Sequence, residues 1–281
     1  MFDRISYTWQ LMGASWNVLK QDKRLLLFPL LSGLACTIVT ASFALPISGT
    51  GFYRPPGSDA SQSAHVMYYG VLFLFYFCNY AVAFFFNAAL VACAVRRMQG
   101  QEATISQGLR IAVSRLPLIL GWALVSATVG LALRIAEDRS KKVGALIAGL
   151  LGIAWSLMTF LVVPVIVVEN KGPIEALNVS AAAIRRTWGE QVVGNFSFGF
   201  IFFLLAIPGV AAIFAGTAIA YTTALGFVLI AAAIVYLLAL ALISSALAEI
   251  FRAAVYLYAA RISTPAGFGP HLLDNAIGPR T

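Results

Sequence analysis

The sequence predicts an all-α, polytopic membrane protein in which six transmembrane helices form three hairpins, each preceded by a cytoplasmic amphipathic helix. Three observations carry that expectation: six long apolar runs between Leu25 and Ala248, connections that alternate in Lys and Arg content, and a periodic amphipathic segment ahead of each pair of runs. A hydrocarbon core about 30 Å thick needs roughly 20 apolar residues in helical form. The 281 residues are 60% hydrophobic and 11% charged, with a mean hydropathy of +0.88. An ordinary soluble domain is about 25% charged, so this chain has too little polar surface to cover a water-soluble globule.

Residues 1–24 open the chain as an amphipathic interfacial helix. Phe2, Ile5, Trp9, Met12, Trp16 and Leu19 recur at steps of three and four, opposite Arg4, Gln10, Asn17 and Lys20. Such a stripe lies in a headgroup plane or packs on the rest of the protein, and two Trp on it suit the headgroup boundary. The first span covers 25–45. Its basic lead and Ser42-Phe43-Ala44 imitate a signal peptide, but the apolar segment is longer than a signal core, so an uncleaved span is expected.

A Gly, Pro and Ser-rich loop leads to the second span, 66–95, which is longer than a bilayer requires and must tilt, bend or protrude. Its outer part is dense in aromatics, from Tyr68 to Tyr80, and Arg96-Arg97 stop it. Thr104 to Leu116 forms the second amphipathic helix, with Thr104 and Gln107 spaced as a capping box. Pro117 separates it from the third span, 118–135, and a charged turn leads into the fourth, 143–168.

Gly172-Pro173 starts the third amphipathic helix, which has Glu175 in its first turn where a carboxylate meets the positive end of the helix dipole. The fifth span, 192–216, contains Pro208-Gly209, read as a kink because each flank alone is too short to cross. The sixth span, 226–248, runs on without a breaker to Arg261, so the six-helix domain covers 25–261, and 262–281 is a Gly and Pro-rich flexible cytoplasmic tail. Ile5, Ile105 and Ile174 mark equivalent starting points of an approximate three-fold repeat.

Charge sets the orientation. Most of the 19 Lys and Arg lie in the N-terminal segment, the two amphipathic connections and the C-terminal region, whereas the opposite loops hold Arg54, Arg134, Arg139, Lys141 and Lys142. The positive-inside rule then places both termini in the cytoplasm of a cell inner membrane, with the 134–142 loop as a departure from it. The net charge of +8 belongs with anionic headgroups rather than nucleic acid.

Chemistry is sparse. His65 and His271 are the two histidines, Cys36, Cys78 and Cys93 form no C-x-x-C pair, and no phosphate-binding glycine loop or nucleophile elbow occurs. No metal site, cofactor or catalytic residue is therefore expected, and an enzyme is disfavoured. The middle thirds of the spans contain no ionisable group of the kind that marks ion pathways. Amides and hydroxyls remain, namely Asn79, Asn87, Ser126, Thr128, Ser156 and Thr159, which either line a polar conduit or form interhelical hydrogen bonds of about 0.6 kcal/mol each. Small residues four apart, such as Ser126 with Gly130 and Ala212 with Gly216, permit close helix approach.

The densest polar stretch is Arg185-Arg186-Thr187-Trp188-Gly189-Glu190-Gln191. Two guanidinium groups beside an interfacial Trp either hold a lipid phosphate or an acidic partner, or anchor the fifth span. Glu249 and Arg252, three apart on the helix leaving the sixth span, pair with each other or with that cluster.

Several stretches carry a resemblance: Ser15-Trp16-Asn17-Val18-Leu19 with Phe28-Pro29-Leu30-Leu31-Ser32-Gly33, Phe85-Phe86-Asn87-Ala88-Ala89-Leu90, Arg115-Leu116-Pro117 with Gly121-Trp122-Ala123, and Gly172-Pro173 through Gln191. Over roughly residues 5–260 the chain resembles a widespread bacterial family of uncharacterised multi-pass integral membrane proteins. That resemblance implies six membrane helices and no reaction, substrate or cofactor. The layout is also loosely similar to the membrane domain attached to some glycerophosphodiester phosphodiesterases, whose catalytic barrel is absent from these residues.

Two functions compete on this basis. One is a non-enzymatic envelope scaffold or accessory protein offering a basic cytoplasmic face to membrane lipids, including anionic headgroups, or to an envelope protein partner or a second copy of itself. The other is a passive channel or small-solute permease with a polar path near Asn79 and Asn87.

Overall fold

The computed structural model describes residues 2–47, 57, 61–139, 143–188, 197–221 and 223–260. Among these, every regular element is a helix, and six stretches are long and apolar enough to cross a membrane. The all-α polytopic fold expected from composition is the fold of the protein.

The chain begins with α1 (Phe2–Gln21) and a 3-10 turn (Lys23–Leu26), followed by α2 (Leu27–Ile47) and α3 (Gln62–Met98). Next come α4 (Ile105–Ser114), α5 (Leu116–Arg139), α6 (Val143–Met158), α7 (Val162–Glu169) and α8 (Pro173–Trp188). The last two helices are α9 (Ser197–Ala220) and α10 (Leu225–Ala259). Local chemistry explains several boundaries. Thr104 Oγ1 accepts the Gln107 backbone N–H while the Gln107 side chain accepts the Thr104 N–H, so α4 starts on the capping box its sequence spells. Pro117 and Pro173 stand in the first turns of α5 and α8, where a missing N–H leaves no intrahelical bond unmade. Asn170 ends α7 in the left-handed region at φ 55°.

The stretch expected as one span over 143–168 is two helices, with residues 159–161 as a turn between α6 and α7. Pro164 is the physical reason, since it has no N–H for the Phe160 carbonyl and its ring crowds that carbonyl. By contrast, α9 continues through Pro208. The fifth span, expected from 192, has a described helix from Ser197; residues 192–196 lie outside the described residues.

The chain forms two compact units. The first comprises Met1–Pro29, Ala94–Gln101 and Arg186–Thr281. Here α9 and α10 pair antiparallel, with Gly209 against Tyr236 and Leu237, and Gly216 against Ile230. The Tyr236 hydroxyl donates to the Leu205 carbonyl at 2.6 Å, one turn ahead of Pro208. The first two-thirds of α10 is largely exposed, as a lipid-facing helix should be, while Ala246, Ile250, Ala253, Ala254 and Leu257 near its end are buried. α1 packs on α10 and α9. Among its described side chains Met12, Ala14, Ser15, Val18 and Leu19 are buried, whereas Trp16 is exposed; the Phe2, Ile5 and Trp9 side chains of the stripe lie outside the described residues.

The second unit comprises Leu30–Cys93 and Glu102–Arg185. Its α3 uses the aromatics noted above in a continuous ladder. Phe43, Phe75, Tyr76, Tyr80, Phe84, Trp122 and Trp155 follow one another with ring centroids 5.6 to 6.2 Å apart, within the range of favourable edge and offset contacts. The ladder joins α2, α3, α5 and α6. Gly130 on α5 admits Tyr80, whose hydroxyl would lie 3.4 Å from an added Cβ. Gly121 admits Pro173, whose Cγ would lie at 2.9 Å, which sets α8 against the start of α5.

Candidate functional site

The amides and hydroxyls that the sequence offered for a conduit are engaged as follows. Asn79 Nδ2 donates to the Phe75 carbonyl at 3.0 Å and Thr128 Oγ1 to the Leu124 carbonyl at 2.9 Å, both one turn back on their own helix. Thr159 Oγ1 donates to the Ser156 carbonyl at 3.3 Å. This back-bonding uses the hydroxyl donors of Thr128 and Thr159 and one of the two amide donors of Asn79 within their own helices. Ser126 is buried, Asn87 is half-buried, and Thr128 and Ser156 are exposed on the apolar exterior.

A polar contact that sequence reasoning missed sits at the break between α6 and α7. Ser180 on α8 is fully buried, and its Oγ accepts the Leu161 backbone N–H at 3.0 Å. That N–H has no helical partner because the ladder is interrupted at 159–161. Pro164 was the available signal, since a proline inside an apolar run marks a break even when the run as a whole is long enough to cross. α7 and α8 are further joined by Lys171, whose Nζ lies 2.7 Å from Glu169 and 3.7 Å from Glu175. The hydrogen bond to Glu169, with the two carboxylate charges, holds the Lys171 ammonium above the usual lysine range.

In the first unit, Glu249 is buried at 3% exposure. One of its carboxylate oxygens, Oε1, accepts from Arg252 Nη1 at 2.5 Å, and the other, Oε2, is buried with no hydrogen-bond partner. The two residues expected to pair do so, one helical turn apart. Arg185 is exposed at the end of the second unit. The Arg186 and Trp188 side chains and all of Glu190 lie outside the described residues, so the cluster around Arg185 is not assembled here. Among the described residues no group of three or more His, Cys, Asp or Glu comes together.

Comparison with known proteins gives a family. Its model, described as a family of unknown function (DUF6159), matches residues 66–267. The chain belongs to the DUF6159 family. The matched stretch runs from within α3 through α10, including the α6–α7 break, Ser180 and the Glu249–Arg252 pair of this DUF6159 member. No curated protein and no solved structure matches the chain.

Proposed function

We propose that this DUF6159 member is a non-enzymatic multi-pass protein of the cell inner membrane, with both termini in the cytoplasm. It acts as an envelope scaffold or accessory protein whose basic cytoplasmic face meets lipid headgroups or a partner protein. The observation that carries the reading is the distribution of charge. Lys and Arg collect at one set of span ends, while the span centres contain no Asp, Glu, Lys, Arg or His. The back-bonded Asn79, Thr128 and Thr159 support packing rather than conduction.

Reconstitution into liposomes tests the reading against a permease. A scaffold gives no saturable or ion-selective flux, and flux that disappears in Asn87→Leu would replace it with transport. Crosslinking from positions 185 and 186 that recovers a stoichiometric envelope protein would identify the partner arm of the proposal.

A further inference from the structure

The first unit gathers a basic corner from two distant parts of the chain. Arg97, in the last turn of α3, donates from Nη2 to the Gln21 carbonyl at 3.2 Å. Gln21 is the last residue of α1, so this carbonyl is one of the acceptors that a helix leaves unpaired at its negative end. The contact sets Arg96 and Arg97 beside Lys20 and the 3-10 turn that carries Lys23 and Arg24. Asp22 is the one acid within these two segments, and its Oδ1 accepts the Arg24 backbone N–H at 3.2 Å.

Among the described residues no carboxylate forms an ion pair with any of the five cations. The Nε atoms of Arg96 and Arg97 are buried without a hydrogen-bond partner. The positive charge of the corner is therefore not met by an acidic side chain among the described residues.

The depth of the corner indicates the acceptor. Leu27, immediately after the 3-10 turn, is exposed and opens the apolar sequence of α2. The cations therefore stand within two helical turns of the start of a lipid-facing surface, at headgroup height. Trp16 is exposed beside them, with the Lys20 ammonium 5.8 Å from its ring centroid.

We infer that Lys20, Lys23, Arg24, Arg96 and Arg97 form a binding site for the phosphate headgroup of an anionic glycerophospholipid from the surrounding bilayer. This rests on the proposed function, in which these span ends face cytoplasmic headgroups, and assigns that contact to one corner. Arginine forks match phosphate oxygens, and each cation near an anionic surface adds a comparable increment.

The test titrates the purified full-length protein in detergent with phosphatidylglycerol or phosphatidylcholine and reads bound lipid by native mass spectrometry. The wild type retains phosphatidylglycerol preferentially, and excess inorganic phosphate does not displace it. Arg96→Gln with Arg97→Gln weakens that binding roughly tenfold or more, and so does Lys23→Gln with Arg24→Gln, which alters only exposed side chains. The Arg96→Lys, Arg97→Lys pair, which keeps the charge, retains most of it. Wild-type binding in both glutamine pairs, or displacement by free phosphate alone, overturns the inference. If Arg185→Gln with Arg186→Gln abolishes lipid retention while the corner variants do not, this inference falls and the proposed function stands. No preference for anionic lipid in the wild type removes both.

Discussion

Ser180 Oγ accepts the Leu161 backbone N–H at 3.0 Å, so a side chain on α8 satisfies the donor left over where the fourth span breaks. Both residues are buried, at 0% and 1% exposure. Unsatisfied backbone is costly at this depth, which is why broken helices persist in membranes only where protein covers the break. Ser180→Ala leaves the N–H unmatched and costs about 1–3 kcal/mol. The check is unfolding of the detergent-solubilised protein by added denaturing detergent. A companion variant, Pro164→Ala, lets the ladder heal and brings a second Ser180→Ala change closer to neutral.

The Glu249–Arg252 pair predicts an asymmetry. Arg252→Leu leaves a carboxylate buried at 3% exposure without its counter-ion, which costs about 3 kcal/mol, the low end for a broken buried pair because the arginine is itself partly exposed. Glu249→Gln with Arg252→Leu removes the stranded charge and recovers much of that loss. A double-mutant cycle on unfolding free energy reads the coupling directly, and additive losses would show that the pair does not interact.

Where α9 and α10 approach each other near their turn, neither Gly216 nor Gly226 has room for a side chain. A Cβ at Gly226 would meet the Ala220 backbone nitrogen at 2.2 Å, and one at Gly216 would meet Ile230 Cγ1 at 2.7 Å. Gly226→Ala therefore forces backbone apart and costs more than the roughly 1–3 kcal/mol of ordinary overpacking, whereas Gly216→Ala costs less than Gly226→Ala because the backbone it meets, Gly226 O at 3.0 Å and Ile230 N at 3.2 Å, lies farther away. Gly149→Ala, on α6 with nothing within 4 Å, is neutral or slightly stabilising. The order of the three in thermal unfolding is the test.

The spans were legible because crossing length is a property of contiguous residues, and the starts of α4 and α8 were legible because Thr104, Gln107 and Pro173 act within one turn. The break in the fourth span was carried by Pro164 but outweighed by the length of the apolar run around it. Ser180 meeting Leu161 and Arg97 meeting Gln21 had no local signature, since tertiary packing joins residues 19 and 76 positions apart. Within the described part of the α1 stripe, Met12 and Leu19 are buried while Trp16 is exposed, because burial of the neighbouring Ser15 turns a different face inward than the stripe alone indicates.

Cysteine accessibility tests the central claim, six crossings with both termini on the basic side. In a protein freed of Cys36, Cys78 and Cys93, Ser58→Cys reacts with an impermeant maleimide added to intact cells, and Ser106→Cys reacts only after permeabilisation. Labelling in the reverse order, or of both positions from the same face, contradicts the account.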